Sequence, residues 1–414
     1  MHLIKIYLTL ICIGLYACNT GTKESASEQS ASEGTASSEN PQKKWYKGNL
    51  HTHSYWSDGD DFPEMIMDWY KSHGYDFIVL SDHNTLQVGE KWKLIPKANI
   101  YQEGLQEYID KYGEDWVEHK KDSAGSTLVK LKTLEEYRPL FEEEGKFLII
   151  QSEEVTDGFE GKPIHMNVTN IQTLIEPQGG NSVAEVMQNN IDQVLQQRES
   201  TGVPMFPHIN HPNFGWAITP EDMMQLTGER FFEVYNGHPA VHNYGDSLRP
   251  NMDVLWDKVQ LSYLLAGKPL LYGLATDDAH NYHVFDDEHS NTGRGWVMVH
   301  AEELTPNAMV EAMERGDFYA STGVELSDVT FDGEALSVKV VAETDIDYTI
   351  QFIGAKSTDE KGAELLKEVK DTEASYMLQA DDLYVRAKII STKIKENPYK
   401  VGDVEMAWVQ PVKQ

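Results

Sequence analysis

Cysteine is almost absent from this chain of 414 residues. Its two cysteines, Cys12 and Cys18, lie in the first segment, so the body of the protein contains no thiol. A disulfide-stabilised fold and a cysteine-based zinc site are therefore excluded for that body. With 40% hydrophobic residues the chain can still bury a large core, and its length predicts two domains.

The apolar run at the start of the chain is too short to span a bilayer as a helix. Residues 1–17 carry Lys5 and an apolar run from Ile6 to Leu15, which is typical of a secretory signal peptide. Leu15-Tyr16-Ala17-Cys18 resembles a bacterial lipobox, which implies cleavage before Cys18 and lipid attachment to its thiol. We therefore expect an exported lipoprotein, anchored to a membrane and facing the periplasm or the cell surface, with an ordinary signal peptide cut nearby as the alternative. Residues 18–44, rich in Ser, Glu, Ala, Gly and Thr, are expected to form a disordered tether after the lipidated cysteine.

Positive charge is also scarce. The chain has 35 Lys plus Arg against 67 Asp plus Glu, a net charge of -32. Such a surface repels nucleic acid and anionic membranes, so we expect no nucleic-acid partner and membrane contact only through the lipid anchor. A phosphate-binding site would have to rely on metal ions and a few placed basic residues.

Histidine and carboxylate residues, by contrast, occur in a pattern that suits metal ions. His51 and His53 point to one face of an extended strand, and Asp58 can return from the following loop. Imidazole and carboxylate ligands together suit Zn, Mn or Fe. Two strand histidines and a turn aspartate without a metal are the alternative interpretation.

Several apolar runs end in polar, ligand-type residues. Tyr75–Leu80 has the pattern of a buried parallel strand and is followed by Asp82 and His83, after a predicted helix over Phe62–His73. Further runs of this kind lie at 146–151, 163–168, 203–212, 231–237 and 270–280, with a predicted helix over 182–197. This alternation predicts an α/β barrel fold with its chemistry at the carboxyl ends of the strands.

Two segments depart from this alternation. Residues 85–146 are charged and aromatic, with helical patterning at about 102–117, and are expected to be an insertion over the strand tips. The insertion is either a substrate lid or a decorating helix pair. From 323 to 414 the pattern changes to strands joined by polar turns, which predicts a small all-β domain. Its lack of histidine favours a structural or positioning role, with carbohydrate or partner binding as the alternative.

Taken together, these motifs resemble those of the PHP (polymerase and histidinol phosphatase) superfamily. The resemblance covers about residues 47–322 and rests on His51-x-His53, Asp58, Ser81-Asp82-His83, Glu154, His165, His211-Pro212 and Asp278-Ala279-His280 in the superfamily's order. The stretch from His51 to Glu64, the Glu233 to Gly237 segment, Asp277 to His280 and the strand-rich tail around Tyr384 to Lys388 are similar to the carbaryl-hydrolase-like (CehA/McbA) branch. The resemblance implies a distorted (β/α)7 TIM-like barrel, spanning residues 45–322, with two or three divalent ions at its C-terminal mouth.

The resemblance also implies how the ligands divide among the ions. One ion takes His51, His53, Glu154 and Asp278. A second shares Glu154 and adds His165 and His211. A third takes Asp58, His83 and His280. His208 is a further candidate for a metal or substrate contact.

Residues beside the presumed ligands suggest supporting roles. A ligating imidazole needs a partner on its other nitrogen, and Asp82, Glu153 and Asp277 are candidates, each with a solvated carboxylate as the alternative. Arg294 lies in Thr292-Gly293-Arg294-Gly295, where a guanidinium after a glycine turn could clamp an anion. A loop arginine paired with a surface acid is the alternative.

These observations predict a metal-dependent hydrolase. Two or three divalent ions would activate a water for attack on a small phosphoester, and hydrolysis of a carboxyl ester or carbamate is the alternative. A lipoprotein that binds metal or glycan without catalysis is a third reading.

Overall fold

The computed structural model describes residues 43–357 and 362–414. The signal peptide, the lipidation site Cys18 and almost all of the predicted tether lie outside the described residues. In chain order the strands are β1 (Lys44–Asn49), β2 (Phe77–Leu80), β3 (Trp92–Leu94), β4 (His119–Lys121), β5 (Thr127–Lys130), β6 (Leu148–Phe159), β7 (Lys162–Thr169), β8 (Phe206–Ile209), β9 (Phe231–Asn236), β10 (Tyr272–Thr276), β11 (Trp296–Ala301), β12 (Phe318–Ser321), β13 (Leu326–Phe331), β14 (Ala335–Val340), β15 (Tyr348–Lys356), β16 (Glu364–Lys370), β17 (Glu373–Met377), β18 (Asp382–Ile394) and β19 (Val404–Val412). The α-helices are α1 (Pro63–Ser72), α2 (Asn99–Tyr112), α3 (Leu134–Phe141), α4 (Val183–Thr201), α5 (Pro220–Met223), α6 (Met252–Leu265) and α7 (Pro306–Glu314).

The described residues form a mixed α/β protein around one large sheet. Its 13 strands run in the order β10-β9-β8-β7-β6-β2-β1-β11-β12-β19-β18-β15-β16. Parallel pairs join β1, β2 and β6 on one side and β8, β9 and β10 on the other. Strands β2, β8, β9 and β10 are buried along their whole length, as expected for apolar strands covered on both faces.

Main-chain pairing does not close this sheet into the predicted seven-stranded barrel. An isolated bridge between Thr52 and Ala279 connects the segment after β1 with the segment after β10, but no strand ladder joins β1 to β10. The alternation of strand and helix also breaks at β6 and β7, which form an antiparallel hairpin. Its two-residue turn is Glu160-Gly161, where both residues have positive φ (50° and 79°), as hairpin turns of this length require.

Two hydrophobic clusters hold the helices against the parallel strands. Phe232, Leu255 and Trp256 belong to the cluster under α4, α5 and α6. Val79 and Val297 belong to the cluster under α7. Burial of these apolar side chains fixes the strands from whose ends the histidines project.

In the described part of 323–414 there are seven strands, β13–β19, and no helix. Strands β19, β18, β15 and β16 continue the large sheet, whereas β13, β14 and β17 form a separate three-stranded sheet. A buried pair in which Arg386 Nε and Nη2 donate to the two oxygens of Asp257, each at 2.8 Å, joins β18 to α6. None of the described helices is long and apolar enough to cross a membrane.

Candidate metal centre

Short main-chain contacts bring the predicted ligand segments side by side. The His53 amide donates to the Ala279 carbonyl (2.9 Å), and the Asp278 amide donates to the His51 carbonyl (3.0 Å). His83 pairs with Glu154 in an isolated parallel bridge that prolongs β2 along β6. The ligand side chains therefore project from neighbouring strand ends rather than from one long loop.

Glu154 lies at the middle of the histidine cluster. Its Oε2 lies 3.3 Å from His51 Nε2, 3.1 Å from His53 Nε2 and 3.1 Å from His83 Nδ1. Its Oε1 lies 2.9 Å from His165 Nδ1 and 3.7 Å from His211 Nε2. One carboxylate thus contacts five imidazoles, as a bridging ligand between metal ions would.

Asp278 forms a second contact point for the same histidines. Its Oδ1 lies 3.1 Å from His51 Nε2 and 3.3 Å from His53 Nε2, and its Oδ2 lies 3.9 Å from His211 Nε2. Asp278 and His211 both have positive φ (50° and 24°), a conformation that costs a non-glycine residue free energy. The fold therefore holds two of the cluster side chains with a strained backbone.

Asp58 lies close to a third group of histidines, at the exposed side of the cluster. Its Oδ1 lies 3.7 Å from His53 Nδ1, 3.4 Å from His83 Nε2 and 3.5 Å from His280 Nε2. The Asp58 side chain is 59% exposed, whereas the His53 side chain is fully buried. This group therefore forms the solvent-facing edge of the centre.

All nine predicted ligand residues are thus brought together. Their donor atoms fall into groups within 4.8 Å, among them His51, His53 and Asp278; His51, Glu154 and His211; His83, Glu154 and His165; and His53, Asp58, His83 and His280. The predicted division gave His53 to the ion of Asp278 alone. In the structure the donor atoms of His53 lie in two groups, one with Asp278 and one with Asp58. Six imidazoles and three carboxylates without a sulfur ligand fit divalent Zn, Mn or Fe.

The electrostatics of the cluster favour ionised carboxylates. Burial opposes ionisation of Glu154, but His83, His51 and His165 outweigh it and hold its pKa well below the usual range. Burial likewise opposes a charged His53, but hydrogen bonding to Asp278 and Glu154 raises the pKa of His53 to about 10. The buried, ionised carboxylates are stable only beside positive charge, which divalent ions could supply in place of protons on the imidazoles.

The structure does not give Asp82, Asp277 or Glu153 the predicted contact with a histidine ring. Asp82 accepts hydrogen bonds from the Ser54 amide (2.8 Å), from the Ser54 and Ser57 hydroxyls and from Gln87. Asp277 accepts from the amides of 293, 294 and 295 and from the Tyr70 hydroxyl. Glu153 accepts from the Ile175 amide at 3.0 Å. Backbone amides and, for Asp82 and Asp277, side-chain donors occupy these carboxylates in place of the imidazoles.

The ring partner that sequence reasoning missed is Glu233. Its Oε1 lies 2.7 Å from His51 Nδ1 and also accepts from the Thr276 hydroxyl at 2.7 Å. Its Oε2 accepts from the His211 amide (2.7 Å) and from Asn236 Nδ2 (2.8 Å). A fully buried carboxylate in the apolar strand Phe231–Asn236 is the signal that could have revealed it.

Two amides near the cluster were missed as well. Asn210 Nδ2 donates to Glu154 Oε1 (2.9 Å), and Asn236 Nδ2 donates to Asp278 Oδ2 (3.1 Å). Each amide fixes one oxygen of a central carboxylate. Asn236 falls in the Glu233 to Gly237 segment that carries part of the resemblance, but the sequence does not show that its amide, or that of Asn210, contacts a carboxylate.

His208 lies beneath the cluster. It is fully buried, its Nε2 lies 3.7 Å from Glu233 Oε1, and neither ring nitrogen has a hydrogen-bond partner among the described residues. Its donor atom falls within 4.8 Å of those of His51 and Glu233. His208 is therefore placed beside the centre, as predicted for a metal or substrate contact, with both nitrogens available.

Arg294 is not positioned as an anion clamp. Its side chain is fully buried, and the guanidinium donates to the carbonyls of Gly237 (Nη1, 2.8 Å) and Asp286 (Nη2, 2.5 Å) and contacts Asn397 Oδ1 at 3.3–3.4 Å. Carbonyl and amide oxygens of three loops thus occupy its donors. This prediction was wrong because the glycines beside Arg294 bring the chain inward, where its side chain ties loops together.

The insertion supports the loop that carries Asp58. Lys93 Nζ donates to the Ser57 carbonyl (3.0 Å), Lys91 Nζ donates to the Trp56 carbonyl, and Trp56 Nε1 donates to the Lys132 carbonyl (3.0 Å). These contacts come from the small sheet β3-β5-β4 and the residues beside it. The insertion therefore acts on the metal centre through Tyr55 to Asp58.

No protein-family model matches this chain, and no curated protein matches it. Among solved structures, it is similar to a two-domain protein from Bacteroides vulgatus ATCC 8482, described as containing a predicted PHP-like metal-dependent phosphoesterase. That similarity has 16% identity and a TM-score of 0.39 and covers 89% of this chain and 96% of that one. An amidohydrolase from Chromobacterium violaceum has 13% identity and a TM-score of 0.28, over 56% of this chain and 87% of that one. At these identities and TM-scores the similarities do not establish a family or an activity for this chain.

Proposed function

We propose that this protein is a metal-dependent hydrolase of the PHP superfamily that cleaves small phosphoesters. The observation that carries the proposal is Glu154, one buried carboxylate within 3.7 Å of five imidazoles and surrounded by all the other predicted ligands. Imidazole and carboxylate donors gathered within 4.8 Å of one another are typical of a site for divalent metal ions.

The chain's own residues hold the ligands in place. Divalent ions bound here would lower the pKa of a coordinated water toward neutrality and stabilise the negative charge that develops on a substrate. Glu233 orients the ring of His51, and Asn210 and Asn236 each hold one oxygen of Glu154 and Asp278. Residues that position ligands in this way lower the reorganisation needed during catalysis.

His238 lies where a substrate would meet the centre. Its ring centroid is 5.4 Å from that of His280 and 6.1 Å from that of Phe214. Its Nδ1 accepts a hydrogen bond from the Ala240 amide (3.1 Å), so the neutral ring carries its proton on Nε2. We infer that Nε2–H donates to a substrate oxygen.

Positive charge beside the mouth supports a phosphoester over a neutral ester. Lys91 and Lys93 place two ammonium groups against the carbonyls of Trp56 and Ser57, next to the exposed Asp58. In a chain of net charge -32, these two ammonium groups offset part of the negative charge of Asp58, Asp60 and Asp82 and so lower the repulsion that a dianionic substrate meets.

Hydrolysis of 4-nitrophenyl phosphate and 4-nitrophenyl acetate by the purified protein, with and without chelator, tests the function. We expect chelator-sensitive phosphate release that Glu154→Gln lowers at least about a thousandfold, because the bridging carboxylate is lost. Glu153→Gln is the matched control, since burial raises the pKa of Glu153 to about 7 and its side chain bonds the Ile175 amide instead of the cluster. Turnover of the acetate alone would contradict the phosphoesterase proposal and favour an ester or carbamate hydrolase.

Export as a lipoprotein is a separate proposal, supported by the Leu15 to Cys18 motif. We expect the wild-type protein to partition with membranes and Cys18→Ala to remain in the aqueous phase. Equal membrane partitioning of the two would contradict lipid attachment at Cys18.

A further inference from the structure

A second cavity lies apart from the metal centre, between β1, α1, β11 and the segment that links β18 to β19. Its volume is about 500 Å³, and none of the nine ligand candidates lines it. Aromatic side chains form much of its wall, namely Trp69, Tyr75, Phe285 and Trp296. The charged residues of the lining are Lys47, Lys393, Lys395, Glu396 and Glu405. A cavity of this size suits a molecule with one or two rings.

Two ammonium groups meet at the ring of Trp296. Lys47 Nζ lies 4.1 Å from the ring centroid of Trp296 and 4.1 Å from that of Tyr75. Lys395 Nζ lies 5.1 Å from the Trp296 centroid. The two positive charges repel one another, and burial lowers the pKa of Lys47 and lowers that of Lys395 to about 8.

Among the described residues, neither Lys47 nor Lys395 forms an ion pair, although Asp277 attracts both ammonium groups from a distance. Lys395 donates to the carbonyls of Gly293 (3.1 Å) and Thr322, whereas no described residue accepts a hydrogen bond from Lys47 Nζ, which contacts ring faces. Glu405, the buried acid of the wall, lies 3.5 Å from Lys393 Nζ. An anion placed at Lys47 would therefore find an ammonium with free donors in a half-buried position.

The wall also has an open aromatic surface, and three polar atoms of its residues lie enclosed without a partner. Trp296 Nε1, Tyr75 Oη and Thr292 Oγ1 are buried and have no hydrogen-bond partner among the described residues. Phe285 is 47% exposed, and its ring lies roughly parallel to that of Trp69 (23°, centroids 6.4 Å apart). Exposed aromatic rings of this kind stack on the flat face of a sugar or an aryl group.

We propose that this cavity binds a small ring-bearing carboxylate, with the carboxylate at Lys47 and the ring against Phe285 and Trp69. The shared chemistry is an anionic group on a six-membered ring, which a sugar acid or an aromatic acid can supply. This inference does not depend on the function of the metal centre.

Isothermal titration of the full-length protein with glucuronate and with 4-hydroxybenzoate tests the proposal, with glucose and 4-hydroxybenzyl alcohol as neutral counterparts. We expect at least one anion to bind at least about tenfold more tightly than its neutral counterpart. Glucuronate binding alone identifies a sugar acid as the ligand class, and 4-hydroxybenzoate binding alone identifies an aromatic acid.

Variants separate this cavity from carboxylate binding at the metal centre. Lys47→Met should weaken binding at least about tenfold, and Phe285→Ala, at an exposed position, by about threefold or more. Lys44→Met, on the same strand and exposed, is the matched control and should bind as wild type. The proposal is overturned if neither anion binds at about 10 mM, if the neutral molecules bind equally well, or if both Lys47→Met and Phe285→Ala bind as wild type.

Discussion

Single buried carboxylates decide how the imidazoles of the centre are held. Glu154 contacts five imidazole rings directly, whereas Glu233 contacts Nδ1 of one ring, that of His51. Each of the two oxygens of Glu233 has two partners. A carboxylate partner on a ligating imidazole fixes its tautomer and orientation and raises its basicity. Glu154 was predicted from its motif. The sequence marks Glu233 as a glutamate within an apolar strand, but it does not show the partners of Glu233, which come from four separate segments.

Replacing Glu233 tests this supporting role. Glu233→Gln should lower the affinity for the divalent ion nearest His51 by about 10- to 100-fold, since the ring loses its anionic partner. Competition with a chromophoric chelator measures the affinity, and Glu199→Gln, at an exposed position of α4, is the control. An unchanged affinity in Glu233→Gln would show that the contact does not support metal binding.

The lowered pKa of Lys395 predicts that the stability of the folded protein depends on pH. Burial lowers its pKa in the folded protein from 10.5 to about 8, so the folded state resists its protonation. The unfolded chain binds the extra proton between those two pH values, and stability therefore rises as pH increases from about 8 to 10.5. Below this window the buried charge costs up to about 3 kcal/mol.

Denaturant unfolding at several pH values measures this contribution. The wild type should gain stability relative to Lys395→Met between about pH 8 and pH 10, because the variant has no group to titrate at this site. Parallel stability curves for the two proteins would contradict the lowered pKa.

At the scale of elements, the apolar runs predicted the positions of helices and strands well, whereas the structure of the turns and loops was not predicted. The predicted helix over 62–73 is α1 at Pro63–Ser72, and the six apolar runs correspond to β2, β6, β7, β8, β9 and β10. Hydrophobic patterning reports burial, and burial decides where these elements lie. The hairpin of β6 and β7 was missed because its turn, Glu160-Gly161, is not a common hairpin signal.

Arg294 shows why loop contacts escape sequence reasoning. The guanidinium joins three loops that are far apart in the chain, so its partners are visible only in the fold. Arg294→Met should leave the buried Gly237 carbonyl and the part-buried Asp286 carbonyl without their guanidinium donor and lower the free energy of unfolding by about 3 kcal/mol, with KM unchanged in the folded protein. Arg315→Met, where the side chain is 53% exposed, is the control. Unchanged stability of Arg294→Met together with a raised KM would contradict this structural role and favour Arg294 as an anion clamp.

The insertion is expected to control the Asp58 group rather than merely to cover it. Lys93→Met removes the bond to the Ser57 carbonyl, so the loop should hold Asp58 less firmly and the affinity for the outermost ion should fall about tenfold. Lys130→Met is the control, since that ammonium lies in the same small sheet and pairs with Glu118 at 3.3 Å. Metal titration followed by mass spectrometry distinguishes the two variants. Equal ion content in both would contradict a supporting role for Lys93.

The molecule as a whole combines a strongly acidic surface with a centre that has no lysine or arginine among its nine candidate ligands. The α/β class and the convergence of these nine residues were predicted, because strand ends on one side of a sheet meet at the same edge. Closure of a barrel was not confirmed. The pairing of strands depends on main-chain hydrogen bonds, and the hydrophobic pattern of the sequence does not report these. In this account divalent ions take the place of the protons that the imidazoles would otherwise hold beside Glu154 and Asp278.

Metal content per chain is the most direct test of that central claim. Mass spectrometry of the wild type, after equilibration with zinc and with manganese and removal of free ion, should find two or three ions per chain. Glu154→Gln should hold at least one ion fewer, because the shared carboxylate is gone, and Glu153→Gln should match the wild type. A wild-type protein that holds no ion, or a Glu154→Gln variant that holds as many as the wild type, would contradict a metal centre built around Glu154.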